Sequence, residues 1–182
     1  MAAEYTDYTY DSLPSHDWIR LIELLGYDNL GSLRCDEKPV DRRNPPMYTA
    51  FSYTWGSSTS QRWLIVNGKR LGITPNCHYA LSQAFSLYGP RQLYWIDSVC
   101  INQADKVEKT QQVGRMGEIY FKAQRTLSCI GSHENDSEEL FGVLHQYDMK
   151  ISRDLSHSPN DRARVLMELG QPSLDFNTTA GA

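Results

Sequence analysis

An acid and two amides mark the most distinctive segment of the chain, L-Y-W-I-D-S-V-C-I-N-Q, which begins at Leu93. Asp97 follows four mostly apolar residues, and Asn102 and Gln103 follow a second short apolar run. Aromatic and branched residues at Leu93–Ile96 are typical of a buried strand. Because ligand crevices form at the carboxyl ends of strands in open α/β sheets, these polar side chains predict a ligand site. The alternative is that the Asp97 carboxylate only accepts N–H groups of its own turn.

A second set of candidate binding residues ends another predicted strand, Tyr48–Trp55, with the sequence Y-T-A-F-S-Y-T-W. Trp55 offers a flat ring to a nucleobase or a sugar. Gly56 has no side chain and lets the backbone approach a ligand closely. The alternative is a core tryptophan followed by a glycine turn. On the first interpretation, the ligand-binding residues here are Ser52, Tyr53, Thr54, Trp55 and Gly56.

Glu108 is a candidate catalytic acid near the start of a helix predicted over Ala104–Ala123. Asp105 and Glu108 have the spacing of a capping box, in which Asp105 caps the helix and Glu108 accepts the Asp105 N–H. Alternatively, Glu108 faces the crevice one turn before Gln112, which would then be a further binding residue. Burial would raise the pKa of Glu108 there and suit it as an acid, a base or an oxocarbenium stabiliser.

Cysteine and metal chemistry have weaker support. Cys100 could act as a nucleophile with His78 and Asp97, but its neighbours Val99 and Ile101 favour a small buried hydrophobe. The five histidines lack the spacing of metal ligands, so we expect no metal site and no required cofactor.

Composition limits the classes of function. The chain has 182 residues, of which 40% are hydrophobic and 22% charged, as in an ordinary soluble domain. Its net charge of −4 does not favour DNA or an anionic membrane. No apolar run approaches the roughly 20 residues of a membrane span, and the polar N-terminus predicts no signal peptide. Four dispersed cysteines favour reduced thiols, so we expect a cytoplasmic protein.

The strands that position these residues alternate with helices. Gly26–Pro46 is predicted as a loop, with at most a short strand near Ser32–Cys35, and Arg62–Ile73 as a hairpin turning at Asn67-Gly68. The alternation predicts an α/β fold with a mostly parallel central sheet, helices on both faces and this inserted hairpin. The other predicted strands are Tyr48–Trp55, Arg125–Ile130, His16–Leu25 with a helix as the alternative, and a strand with its exit at Leu93–Ile101, where Asp97 ends the strand.

The helices follow from apolar spacing and capping residues. Thr74 caps a helix that begins at Pro75 and stops before Gly89. Further helices are predicted over Ala104–Ala123, Glu138–Asp148 and Asp161–Leu169. The apolar face of the first of these three is Val113, Met116, Tyr120 and Ala123, with Ile119 at its margin. We expect a loose segment at residues 1–15, a domain at 16–150, and at 151–182 a helix followed by a disordered tail.

Three sequence blocks together resemble the fungal heterokaryon incompatibility (HET) domain. Tyr48–Gly56 is similar to the family pattern Y-x-A-L-S-Y-x-W-G, and Leu93–Asp105 to L-W-I-D-A-I-C-I-N-Q-x-D. Glu108–Ala123 is similar to E-R-x-x-Q-V-x-x-M-x-x-I-Y-x-x-A, with Lys109 and Phe51 departing from the usual Arg and Leu. The resemblance implies a role in non-self recognition between fungal strains and in programmed cell death after their fusion. It also implies a TIR-like, flavodoxin-like three-layer sandwich.

The resemblance to TIR domains raises NAD cleavage as a hypothesis. Some TIR domains cleave NAD with a glutamate on the helix after the third strand, where this chain offers Glu138 or Glu139. The TIR pattern W-x-x-x-E is absent there, and Glu108 lies one helix earlier. NAD would be a substrate, acted on at Asp97 and Glu108. The alternative is a non-catalytic module that senses a nucleotide, forms homo-oligomers, or binds another incompatibility or death-signalling protein.

Overall fold

The computed structural model describes residues 5–56 and 61–129, and the backbone of Leu166–Met167. The chain divides into two compact units. The described helices and strands belong to the first unit, except that Met167, the last residue of the last strand, belongs to the second. The units are Met1–Gly131 with Asn160–Leu166, and Ser132–Pro159 with Met167–Ala182. The predicted helix Glu138–Asp148 and the predicted tail Gln171–Ala182 lie outside the described residues.

Strands outnumber helices along the described chain. The strands are β1 (Trp18–Tyr27), β2 (Leu33–Asp41), β3 (Thr49–Tyr53), β4 (Arg62–Val66), β5 (Lys69–Ile73), β6 (Leu93–Trp95), β7 (Arg125–Cys129) and β8 (Leu166–Met167). The helices are α1 (Pro75–Tyr88), α2 (Asp97–Cys100), α3 (Lys106–Val113) and α4 (Met116–Lys122). The helix predicted over Asp161–Leu169 is wrong at the two residues of β8, whose backbone groups pair with a strand edge instead.

One sheet contains all the described strands, in the order β5-β4-β2-β1-β6-β3-β7-β8. On one side of the sheet, β3 pairs in parallel with both β6 and β7. On the other side, β1 runs antiparallel to β2 and β6, and the β4–β5 hairpin joins through a parallel pairing of β4 with β2. The α/β class is confirmed, but the sheet is mixed and not mostly parallel.

Strand β2 contributes one of the antiparallel pairings and fills much of the segment predicted as a loop. Its nine residues pair with β1, and the Oδ1 of Asp28 closes the turn between them by accepting two backbone N–H groups at 2.8 Å. The prolines and aspartates of this segment suggested a loop. Pro39 is nevertheless tolerated, because β4 pairs with β2 only over Leu33–Cys35 and β2 is an edge strand beyond that point.

The helix predicted over Ala104–Ala123 is two helices, α3 and α4, separated by Gly114 and Arg115. Glycine weakens a helix interior, and the break changes which residues face the core. Ile119, predicted at the margin, is 0% exposed, whereas Val113, predicted on the apolar face, is 49% exposed.

The strand predicted to begin at Leu93 and end before Asp97 is confirmed as β6, and its exit is a helical turn. β6 ends at Trp95, and Asp97 is the first residue of the four-residue helix α2. The backbone N–H of Cys100 donates to Ile96 O at 2.8 Å and closes the turn. This turn folds the apolar residues after Asp97 into the core.

Helices pack on both faces of the sheet. Tyr94 and Trp95 are consecutive in β6 and therefore point to opposite faces. The ring of Trp95 contacts Tyr120 of α4, with 5.4 Å between centroids. Tyr53 lies on the Tyr94 face by the β3–β6 register, and its hydroxyl donates to Ser98 of α2. Helices α2 and α4 thus cover opposite faces.

The N-terminal segment, predicted as loose over residues 1–15, makes specific contacts in its described part. The Tyr8 N–H donates to Arg70 O at 2.8 Å, and the Arg70 N–H donates to Thr6 O at 2.9 Å. These contacts join residues far apart in sequence, which local sequence patterns do not reveal.

The predicted hairpin turn is confirmed. Asn67 and Gly68 have φ values of 50° and 75°, the positive values that a type I′ turn needs at both central residues. Thr74 caps α1 as predicted, since its side chain accepts the Cys77 N–H, and Gly89 ends the helix.

Two glycine substitutions test these backbone conformations. A Cβ at Gly68 would meet nothing within 4 Å, so Gly68→Ala is unfavourable through its positive φ, and we expect unfolding to require about 1 kcal/mol less. Gly117 of α4 also has open space and no positive φ, so Gly117→Ala should add up to about 1 kcal/mol. Urea unfolding measures both changes, and shifts of the same sign would contradict the assigned conformations.

Candidate functional site

The carboxyl ends of β3 and β6 bring the two predicted sets of polar residues together. The indole Nε1 of Trp55 donates to Asp97 Oδ2 at 2.9 Å. Trp55 is 41% exposed, so it is not a core tryptophan. We call this region the strand-end site, and its residues are Tyr53, Trp55, Gly56, Asp97 and Gln103.

Asp97 is a partly buried acid without a basic partner among the described residues. Its Oδ1 accepts the Ser98 N–H at 2.8 Å, as the turn interpretation predicts, while Oδ2 accepts the Trp55 indole from another strand. Burial raises the pKa of Asp97, and the hydrogen bonds from Trp55 and Ser98 oppose that shift. An acid whose charged form the fold destabilises, at the end of parallel strands, is typical of a functional site.

Tyr53 connects the strand-end site to α1 and α2. Its hydroxyl donates to Ser98 Oγ at 2.6 Å, and Ser98 Oγ donates to Cys77 Sγ at 3.3 Å. Burial raises the pKa of Tyr53, and it raises the pKa of Cys77 to about 11, so both groups are neutral at physiological pH. The Tyr53 hydroxyl therefore links the end of β3 to α2 through Ser98.

Position 56 requires glycine because the Asn76 side chain lies close to its backbone. Its φ is +72°, and a Cβ there would lie 2.7 Å from the Asn76 Nδ2. That amide donates to Thr54 O at 2.9 Å and ties the start of α1 to the end of β3. The side chains of Ser52 and Thr54 are exposed.

Gln103 lies against Asp97, whereas Asn102 orders the following loop. The Gln103 Nε2 donates to the backbone oxygen of Asp97 at 2.9 Å, and its Oε1 is buried without a hydrogen-bond partner among the described residues. Asn102 Oδ1 accepts the Ala104 N–H at 3.2 Å. The two amides predicted as ligand-binding thus differ, because Gln103 keeps an unused acceptor and Asn102 closes a turn.

Glu108 is paired with a buried arginine away from Asp97. Its Oε1 and Oε2 accept from Arg20 Nη1 at 2.5 Å and Nη2 at 3.1 Å, and Oε1 also accepts the Asn102 N–H at 2.8 Å. Asp105 caps α3 as predicted by accepting the N–H groups of Val107 and Glu108. The second half of the predicted capping box is wrong, because Glu108 turns back to Asn102 and the Asp105 N–H donates to Asn102 O.

Arg20 is the residue that the sequence interpretation missed. It lies near the start of β1, is 1% exposed, and also donates to Cys100 O at 3.4 Å. Its Nε lies 3.4 Å from Glu37 of β2, and burial raises the pKa of that carboxyl while Tyr8 and Arg20 oppose the shift. An arginine inside the apolar run W-I-R-L-I was the available signal, because such a charge needs acidic partners.

Gln112 is also structural. It is 3% exposed, and its Nε2 donates to Trp18 O at 2.9 Å, which holds α3 against β1. Gln112 therefore does not lie with Asp97 in the strand-end site.

Cys100 is packed in the core. It is 1% exposed, its Sγ accepts the Ile96 N–H at 3.4 Å, and burial raises its pKa. His78 instead lies 3.3 Å from Ser82 Oγ, and burial lowers the pKa of its imidazole. A cysteine nucleophile needs to be accessible and ionised, and Cys100 is buried and protonated.

The fold and the site define a mixed α/β domain whose parallel strands end at an acid and an exposed tryptophan. The family model described as heterokaryon incompatibility protein (HET) matches residues 48–177, and the chain belongs to this family. The resemblance inferred from the three sequence blocks is confirmed. Arg20 and Glu37 precede the matched residues, whereas Glu108 and Asp97 lie within them.

Heterokaryon incompatibility protein 6, OR allele, of Neurospora crassa is 32% identical over 153 residues. The aligned part is 75% of this chain and 22% of that protein, so the chain spans about a fifth of the relative's length. No solved structure matches the chain. Across residues 5–56 and 61–129, no helix has the length and apolar character that a membrane span requires.

Replacing Asp97 tests whether the fold destabilises its charge. Because the folded-state pKa of Asp97 is raised, its ionisation lowers stability as the pH rises through that pKa. An amide supplies one acceptor oxygen where the carboxylate supplies two, so Asp97→Asn also loses one of the hydrogen bonds from Trp55 and Ser98 at every pH. We therefore expect the thermal midpoint of Asp97→Asn, relative to that of the parent protein, to rise as the pH is raised from about 4 to about 7.

Asp41→Asn is the control of opposite sign. The Arg43 side chain lowers the pKa of Asp41 to about 2, so ionised Asp41 is favoured in the folded state. This variant should show no such relative rise between about pH 4 and about pH 7. A midpoint difference between Asp97→Asn and the parent protein that stays constant or falls over that range would contradict the account of Asp97.

Removing the partner of Arg20 should destabilise the protein strongly. Glu108→Ala leaves a 1% exposed guanidinium short of its bidentate acceptor, and we expect a loss of about 3–5 kcal/mol in urea unfolding. The control is Glu23→Ala, whose partner Lys38 lies 2.7 Å away with a 46% exposed side chain and can turn to water. Equal losses for the two variants would show that burial of Arg20 is not the decisive factor.

Proposed function

We propose that the chain acts in heterokaryon incompatibility, as a module of the cytoplasmic response that leads to cell death after unlike fungal strains fuse. The family match over residues 48–177 and the likeness to the Neurospora crassa protein support this role. Because the alignment covers 22% of that relative, the chain corresponds to one module of such a protein. The thiols support a reducing compartment, since Cys35, Cys77 and Cys100 are free and buried.

The proposal includes a TIR-like architecture for the parallel part of the sheet. Along the chain, β3, β6 and β7 are the first, second and third parallel strands of this part, and they lie side by side as β6-β3-β7. This second-first-third arrangement is that of doubly wound, flavodoxin-like sheets. On this view, β1, β2 and the β4–β5 hairpin are additions beyond β6.

The ligand proposed for the strand-end site is a nucleotide, with NAD as the candidate substrate. The observation that carries this proposal is the pairing of partly buried Asp97 with the exposed Trp55 ring at the ends of parallel strands. The indole face can stack on a base, and the carboxylate can accept ribose hydroxyl groups. The buried Gln103 Oε1 offers a further acceptor beside them.

In the catalytic form of the proposal, Asp97 and not Glu108 is the acting carboxylate. When the bond between nicotinamide and ribose breaks, the electron pair leaves with nicotinamide and positive charge develops on the ribose. A carboxylate near that carbon stabilises the charge, and water then adds to give ADP-ribose and a proton. Glu138 and Glu139, the alternative acids, lie outside the described residues.

The second candidate is a non-catalytic module that binds a nucleotide or associates with itself or another incompatibility protein. The engagement of both Glu108 oxygens by Arg20 favours it, because this acid of the family motif then has a structural task. Both candidates share nucleotide recognition at Asp97 and Trp55, and they differ in whether the nucleotide is consumed.

Incubation of the purified chain with NAD, followed by chromatography of nicotinamide, separates the two candidates. The catalytic form predicts release that Asp97→Asn reduces by at least about 100-fold, as for loss of a group that stabilises transition-state charge. Asp41→Asn should leave release unchanged, because Asp41 lies on β2 and pairs with Arg43. A loss in Glu138→Gln with full activity in Asp97→Asn would assign catalysis to the other acid.

Calorimetric titration with NAD and ADP-ribose completes the test. Binding that Trp55→Ala or Asp97→Asn abolishes, without nicotinamide release, would support the sensing module. Neither release nor binding, at protein concentrations that promote self-association, would contradict nucleotide recognition at this site.

A further inference from the structure

The residues Tyr5–Asp11 form a strap along one edge of the sheet. The backbone of Tyr8 and Thr6 exchanges hydrogen bonds with Arg70 of β5, in a parallel bridge. Asp7 adds an ion pair with the Arg70 Nε at 2.6 Å. The strap therefore pairs with the edge strand β5 before its chain continues toward β1.

The aromatic side chains of the strap cover the buried Arg20. The Tyr10 ring centroid lies 5.1 Å from the guanidinium carbon, and the Tyr8 ring packs edge-on against Tyr10 with 4.9 Å between centroids. The backbone oxygen of Asp11 accepts from Arg20 Nη2 at 2.6 Å. A cation–π contact and a charge-assisted hydrogen bond thus shield Arg20 from solvent on this side.

The strap reaches the strand-end site by two routes. The Tyr10 hydroxyl donates to Val99 O at 2.9 Å, which is a direct contact with α2. The second route runs through Arg20 to Glu108, which accepts the Asn102 N–H in the loop after α2. The strap contacts therefore converge on the segment that carries Asp97.

The composition of the strap favours release at low free energy. Tyr8 and Tyr10 are only partly buried, and Tyr8 packs at the margin of the hydrophobic core. The strap is otherwise held by polar contacts with exposed residues between them, and such segments open locally more readily than core strands. The charge of Arg20 stays compensated on opening, because Glu37 and Glu108 remain within 3.4 Å. The exposed strap residues are Thr6, Asp7, Thr9 and Asp11.

We propose that the strap is a latch that controls the order of α2 and thereby the strand-end site. When the latch is closed, Tyr10 fixes α2 through Val99, and Arg20 is covered. When it opens, Val99 O loses its donor, and α2 and the loop up to Asp105 open more often. The strap precedes the family match at residues 48–177, so it joins a segment outside the match to the motif inside it.

The latch acts on the strand-end site, to which the proposed function assigns a ligand. The coupling between the strap and α2 does not itself require a ligand. Its test is amide hydrogen exchange by mass spectrometry on the full chain, without nucleotide. Tyr10→Phe removes the hydroxyl that Val99 O accepts and keeps the ring over Arg20. We expect the peptide covering Asp97–Gln103 to exchange about fivefold faster, as for loss of one hydrogen bond.

Tyr5→Phe is the matched control, because it removes a strap hydroxyl that donates to Asp28 Oδ2 at 2.8 Å, at the β1–β2 turn. Because this hydroxyl donates to the β1–β2 turn and not to α2, its loss should affect the Asp97–Gln103 peptide less than Tyr10→Phe does. Unchanged exchange in Tyr10→Phe, or a uniform increase that includes β3 and β7, would each overturn the latch. A failure to bind nucleotide would not, since the readout contains none.

Discussion

The full burial of Arg20 is the constraint on which the site region depends. A guanidinium out of water must find acceptors for its donors and a balancing charge, or the fold loses several kcal/mol. Arg20 finds them in four places at once, since Glu37 of β2, Glu108 of α3, the Cys100 carbonyl of α2 and the Asp11 carbonyl all face it. Each of these segments is therefore positioned relative to β1.

This requirement explains why the two acids of the site region differ in role. Glu108 has both oxygens engaged by a cation and an N–H group, so its charge belongs to the framework. Asp97, eleven residues earlier, accepts hydrogen bonds from Trp55 and Ser98 but has no cationic partner within residues 5–56 and 61–129, and burial raises its pKa. Two carboxylates in one motif thus have opposite environments, and the one that the fold leaves uncompensated is the better candidate for ligand chemistry.

Sequence patterns predicted the turn and the helix cap that are stabilised by residues close together in the chain. The Asn67-Gly68 turn and the Thr74 cap depend on residues a few positions apart, and the structure agrees with both. The helix over Ala104–Ala123 shows the limit of such patterns. An apolar period continued through Gly114, and only the packing of Ile119 revealed the break and the new buried face.

Elements stabilised by distant partners could not be predicted in this way. β2 contains the residues of a loop, and it becomes a strand because β1 pairs with it. The N-terminal segment has the composition of a flexible end, yet Arg70 and Arg20 supply its partners. In both segments the stabilising hydrogen bonds come from other parts of the chain, so the segment's own sequence holds little sign of them.

The sequence by itself determined the family, the ends of the two central strands, and the residue types gathered there. Motif order and spacing carry that information without reference to three dimensions, and chain connectivity in an α/β sheet brings those strand ends to one edge. Only the tertiary structure decided which of the two acids, Asp97 or Glu108, has a cationic partner among the described residues. That choice depends on where an arginine in β1 points, because a carboxylate becomes framework or site according to whether a cation lies within a few ångströms of it.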